Sequence, residues 1–216
     1  MTLKALILQR ITKNKSICVW TPTDFFDLGS RDAIDKVLQR LMKANELRRL
    51  GRGLYDKPRL NTLSARLDPV DYRRVIEAVS RRDQVRILLD GMTCANDLGL
   101  THAISGQVIL HTDGRLCSIK LDNLLIQFKL TAPSKLYWAG HPAMRIVQAL
   151  YWLHGEYNMA HRIDRDIIMA KLIQLLNQSA YGKIIQDDLR TGLHTLPSWM
   201  RSFIQELFES ISGEQK

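Results

Sequence analysis

Cysteine is scarce in this 216-residue chain: Cys18, Cys94 and Cys117 stand far apart, and no Cys-x-x-Cys occurs. That spacing excludes a zinc ribbon and a thioredoxin-type redox pair, and it points to buried free thiols in a reducing compartment. Long apolar runs are missing too. None approaches the ~20 residues that span a bilayer, so no membrane partner is expected. Met1 to Ser16 alternates apolar residues with Lys and Arg, which is not the pattern of a signal peptide, and a cytoplasmic location is expected. There is no internal repeat and no low-complexity segment. Catalytic signatures are absent as well: no Gly-x-Ser-x-Gly elbow, no phosphate loop and no dinucleotide fingerprint. The chain is therefore not expected to be an enzyme.

Three polar features invite chemistry and carry little of it. His154 and His161 lie seven apart near Asp164 and Asp166. Zinc-ligating histidines on one helix are spaced by four with a glutamate between, so no metal and no cofactor is expected. Gly91 precedes a helix whose free amides suit an anion, although a plain helix start is the commoner reading. Asp113 has no second carboxylate at a spacing that suggests acid–base work.

What the chain does have is positive charge, unevenly placed. The net charge is +9. Residues 1–60 hold thirteen basic and six acidic side chains, which accounts for +7 of it. A polyanionic partner at the N-terminal end is the natural reading.

The stretch from Gly29 to Pro58 organises that end. Ser30 suits a helix N-cap, and Asp32 sits in the first turn, where a carboxylate favours the helix dipole. Ile34, Val37, Leu38 and Leu41 recur at the spacing of one buried helical face. Asp32, Lys36, Gln39 and Lys43 fall on the opposite face with Arg40 beside them. Asn45 can end the helix in a left-handed conformation. Leu47 to Leu50 and Leu54 to Lys57 then read as two short strands, with Gly51-Arg52-Gly53 as the turn and Pro58 closing the second. Upstream, Thr2 caps a first helix with Leu3, Leu6, Ile7 and Ile11, and Ile17 to Trp20 is a strand. Thr21-Pro22-Thr23-Asp24 carries the capping-box spacing and opens a further helix, with Phe25, Phe26 and Leu28 as its apolar face. Helix, strand, helix, turn, helix, hairpin is the order of a winged helix-turn-helix, whose third helix enters the major groove. The expected DNA contacts are Arg31, Lys36, Gln39, Arg40 and Lys43 on the helix and Arg48, Arg49 and Arg52 on the wing.

Particular strings in this segment resemble the winged-helix domain of AbiE-type antitoxins from type IV toxin–antitoxin systems. They are Asp24-Phe25, Leu28-Gly29-Ser30-Arg31, Leu38-x-Arg40-Leu41 and Arg49-Leu50-Gly51-Arg52-Gly53-Leu54-Tyr55-x-x-Pro58. The hairpin string is the most specific of them. Gly91 to Gly114, with Leu98-Gly99-Leu100, and the terminal Pro197-Ser-Trp-Met extend the resemblance. It implies an antitoxin that opposes a nucleotidyltransferase-like toxin, while the winged-helix order and the charge of residues 1–60 lead to the expectation that two copies bind an inverted-repeat operator and repress the chain's own operon. Direct contact with that toxin is left open.

Beyond residue 60, Asn61 to Asp68 reads as a connection, and Pro69 to Gln84 as a helix crowded with Arg73, Arg74, Arg81 and Arg82. Those arginines either extend the DNA surface or form a solvated face. Ile87 to Leu89 is a short strand. Val108 to Thr112, Leu116 to Leu121 and Leu124 to Leu130, joined at Asp113-Gly114 and Asp122-Asn123, predict an antiparallel meander over about 86–130. Amphipathic helices follow, from His141-Pro142 to Leu153, after Asp164, from Lys183 to Leu193 and from Pro197. The expected class is α+β: a winged helix-turn-helix at 1–60, then a mixed domain at 61–216 with a small antiparallel sheet and a helical part at 141–212. The competing reading is a stand-alone winged-helix regulator whose C-terminal domain senses a ligand or dimerises.

Overall fold

The computed structural model describes residues 2–14, 18–60, 67–102, 106–156, 162–177 and 180–213. The fold is α+β, and the chain divides into two compact units. The first comprises residues 1–87 and 113–130, the second residues 88–112 and 131–216. The first unit therefore runs past the boundary expected at residue 60 and takes in a later hairpin. His161, Lys15 to Ile17 and most of the Asn61 to Asp68 connection lie outside the described residues.

In the first unit, α1 (Leu3–Lys13) starts where Thr2 accepts from the Ala5 amide. The chain then forms β1 (Val19–Trp20), α2 (Arg31–Lys43), β2 (Arg48–Gly51) and β3 (Leu54–Asp56). The strands make an antiparallel sheet in the order β1-β3-β2. Ile7, Ile11, Trp20, Phe25, Ile34, Leu38, Leu41 and Leu47 form its core. Three of these, Ile34, Leu38 and Leu41, are the inward face that periodicity assigned to α2.

The segment expected to be a helix after Thr21 is shorter. It is one 3-10 turn, Pro22–Phe25, with the capping box formed and Pro22 in first position. The Leu28 amide bonds back three residues to the Phe25 carbonyl at 2.8 Å. With no further helical turn, Phe26 points outward and is 45% exposed, while Phe25 stacks on Trp20 in the core.

The helix α3 (Tyr72–Asp83) starts at an Asp71 cap, later than the expected Pro69. It packs on β1 and β3, and its Val75 and Val79 are buried. After β4 (Ile87–Leu89), α4 (Gly91–Asp97) and β5 (Gln107–Thr112) belong to the second unit, and β6 (Ile119–Leu121) and β7 (Leu124–Leu130) to the first. The β6–β7 hairpin turns at Asp122, whose φ is 47°, as the Asp122-Asn123 signal implied. The meander is not formed. In the strand order, β6 is an edge strand hydrogen-bonded, among the described residues, to β7 and not to β5, so Asp113-Gly114 does not close a hairpin into β6. The Asp113 carboxylate instead accepts from the amide and Nε of Arg86, both at 2.9 Å. That interaction fixes a bend rather than a two-residue turn.

In the second unit, α5 (Met144–Glu156) crosses α4 closely. α6 (Arg162–Asn177) begins ahead of Asp164, the residue expected to cap it. α7 (Ala180–Gly192) and α8 (Ser198–Gly213) complete the helices, the latter directly after Pro197. No helix among the described residues is long and apolar enough to cross a membrane. Cys94 is buried, and burial pushes its thiol pKa up. Cys18 and Cys117 are exposed, contrary to the expectation of buried thiols.

Candidate nucleic-acid interface

The sequence places a helix and a hairpin side by side, and the local chemistry sets their angle. Ser30 caps α2 through the Ala33 amide at 3.4 Å. Asn45 leaves the helix at φ 56°, and the Glu46 and Leu47 amides both return to the Leu41 carbonyl. This left-handed exit turns the chain back at once into β2. The hairpin carries an irregularity between Arg49 and Gly51, and Gly53 reaches φ 65° at the tip. An L-residue there would be strained.

Between the outer face of α2 and the wing lies a groove of about 560 Å³. Arg31, Lys36 and Gln39 line it from the helix, and Arg49, Arg52 and Tyr55 from the wing. Five of the eight expected contact residues are thus brought to one concavity. Lys36, Gln39 and Arg52 have no side-chain hydrogen bond or ion pair among the described residues. Among the described residues, Arg49 reaches only the Gly51 carbonyl, at 3.2 Å. Asp32 and Asp35 also line the groove, and Asp35 lies 3.7 Å from the mostly exposed Arg31. The free charge of the groove is therefore positive. Arg40 and Lys43 are exposed on the same helix but do not line it.

Arg48 is placed differently from the other candidates. Its Nε and Nη2 donate to the two oxygens of Asp56 at 3.0 and 2.7 Å, and Nη2 also reaches the Asp68 carbonyl. These bonds to Asp56 raise the Arg48 pKa against the opposing effect of burial. The guanidinium is an internal tie between β2 and β3, not a free surface charge.

Two residues of α3 shape the site, and no sequence pattern singled them out for this role. Arg81 donates to both oxygens of Asp24, at 2.9 and 3.1 Å, and to the Val19 carbonyl. Asp24 is the carboxylate that closes the capping box with Thr21, so one side chain joins the 3-10 turn to α3. Arg82 donates to the Arg52 carbonyl at the wing tip and pairs with Asp83. These arginines brace the module, which is neither of the roles read from the charge run. Tyr55 was also missed. The alternation in β3, with Leu54 and Asp56 buried on one side, was the available signal for it.

The Gly91 amide reading does not survive the geometry. Asp90 accepts from the Met92 and Thr93 amides at 3.0 and 3.1 Å, so the α4 start is already capped. Among the described residues, no group of three or more His, Cys, Asp or Glu side chains is set to hold a metal ion.

A family model described as a family of unknown function (DUF6088) matches residues 6–183. No curated protein matches the chain.

Proposed function

The chain belongs to the DUF6088 family, and since membership there brings no activity with it, we propose a function from the surface: it binds duplex DNA through a winged helix-turn-helix. The observation that carries this reading is the shared groove of α2 and the wing. Unpartnered Lys36, Gln39 and Arg52 converge there with Arg31 and Arg49. A helix of thirteen residues is roughly 20 Å long and fits a major groove about 12 Å wide. Cations at its rim neutralise phosphates, and Gln39 is of the type that pairs with a base edge.

The biological role rests on the resemblance to AbiE-type antitoxins carried by the hairpin string and by Gly91 to Gly114. We infer an antitoxin that represses its own operon at an inverted repeat, bound by two copies, and counteracts a nucleotidyltransferase-like toxin. No catalytic step is part of this function.

Two measurements test it. Titration of the full chain with the duplex upstream of its gene should show affinity falling steeply with salt. With about four phosphate contacts per protomer, the log–log slope is roughly −4 per protomer. Salt-independent affinity would reject DNA binding. Co-expression with the neighbouring gene product should restore growth; a harmless neighbour would leave a DNA-binding regulator without the antitoxin role.

A further inference from the structure

Pro22, Arg31, Arg52 and Gly53 line a second concavity in addition to the groove of α2 and the wing. Its volume is also about 560 Å³. Opposite the wing it is walled by residues 115–120, the approach to β6, within the same compact unit. β6 lies against β2: a Cβ on Gly51 would stand 3.7 Å from Ile119 Cγ2. The later hairpin is therefore packed directly beside the wing.

The charge on this wall is free at two positions. Arg82 and Asp83 line it but pair with each other, and Arg82 also holds the Arg52 carbonyl. Arg115 and Lys120 line it too, are exposed, and carry no side-chain hydrogen bond or ion pair among the described residues. The concavity thus offers Arg31, Arg52, Arg115 and Lys120 with no unpaired carboxylate among its lining residues. It is continuous, through four shared residues, with the surface assigned to base reading.

We propose that this second concavity holds the phosphate backbone of duplex DNA flanking the segment read by α2, with Arg115 and Lys120 as contacts that track the backbone without reading sequence. The proposal rests on the DNA-binding reading and adds to it a second arm from far along the chain. Phosphate is the favoured partner because the charged lining groups that carry no ion pair among the described residues, Arg52, Arg115 and Lys120, are all donors.

The test uses the full chain and a double variant, Arg115→Ala with Lys120→Ala. Neither side chain has a partner among the described residues, so thermal unfolding should match the parent. On a duplex with extended flanks, the salt slope should become less negative by about 1.8 per protomer, for specific and scrambled sequences alike. On a duplex trimmed to the segment under α2 and the wing, parent and variant should bind equally. The exchange Arg115→Lys with Lys120→Arg should keep the parental slope. An unchanged slope on the long duplex overturns the proposal and leaves the winged-helix reading standing. An equal loss on the trimmed duplex overturns the flank assignment. Failure of the parent itself to bind any duplex overturns both.

Discussion

Replacing Arg48 by alanine removes the guanidinium that spans β2 and β3 at the register pair Arg48–Asp56. The Asp56 side chain is 11% exposed and would be left without its cation. Breaking a buried pair costs about 3–5 kcal/mol. Arg48 itself is 26% exposed, so water screens part of the interaction and about 2–3 kcal/mol is the better expectation. For a chain of this size each kcal/mol moves the melting temperature by about 2–4 °C, which gives a drop of about 4–12 °C. Arg52→Ala removes an exposed side chain with no partner among the described residues, and such changes stay within about 0.5 kcal/mol. Its effect falls on DNA instead, as a salt slope less negative by about 0.9 per protomer. Thermal unfolding and duplex titration between low and moderate salt, run on both variants, separate the two roles. If Arg48→Ala melted with the parent and flattened the salt slope as much as Arg52→Ala, Arg48 would be a DNA contact, and the ion-pair reasoning would be refuted.

Other outcomes can be read with equally simple means. Gln39→Ala should reduce the preference for the specific over the scrambled duplex while leaving the salt slope unchanged; equal losses on both duplexes would reject base reading. Gly91→Ala would put a Cβ 2.4 Å from Trp152 Cβ and 2.5 Å from the Gln148 carbonyl, a clash with helix backbone that should cost about 1–3 kcal/mol or more in an unfolding titration. The hydrogen bonds from Arg86 hold the Asp113 carboxyl below the ordinary aspartate value. A depressed carboxylate stabilises above its unfolded pKa of about 3.9 and loses that contribution as pH falls through the folded value, so Asp113→Asn should flatten stability against pH below about 4. A fragment of residues 61–216 leaves Val75 and Val79 of α3 without β1 and should aggregate, whereas a soluble, cooperatively folding fragment would show that α3 does not depend on residues 1–60.

The parts of the site that sequence revealed were those set by neighbours close along the chain. Ser30, the Ile34–Leu38–Leu41 face and Asn45 define α2 within sixteen residues, and two glycines define the wing turn. The 3-10 turn was misread because a capping box and an initial proline open either kind of helix. The three-residue returns of the Asp24, Phe26 and Leu28 amides to Thr21, Thr23 and Phe25 decide between them. Arg48 was readable in principle, since opposite charges on facing strands flank the turn symmetrically. Arg81 and Arg82 were not readable, because their partners lie 57 and 30 residues away. The meander failed for a similar reason. Asp-Gly is a strong local turn signal, but Arg86, 27 residues earlier, holds the carboxylate.

The bond from Arg82 to the wing tip is made to the carbonyl of residue 52, not to its side chain. Any amino acid at that position keeps the acceptor, so the support is indifferent to what the tip displays. Position 52 behaves as a socket: the mount is fixed, and the part it presents can be exchanged. Related chains could change their target by altering this one side chain while the hairpin keeps its shape. Loss of Arg82, by contrast, would loosen the tip whichever residue stood there.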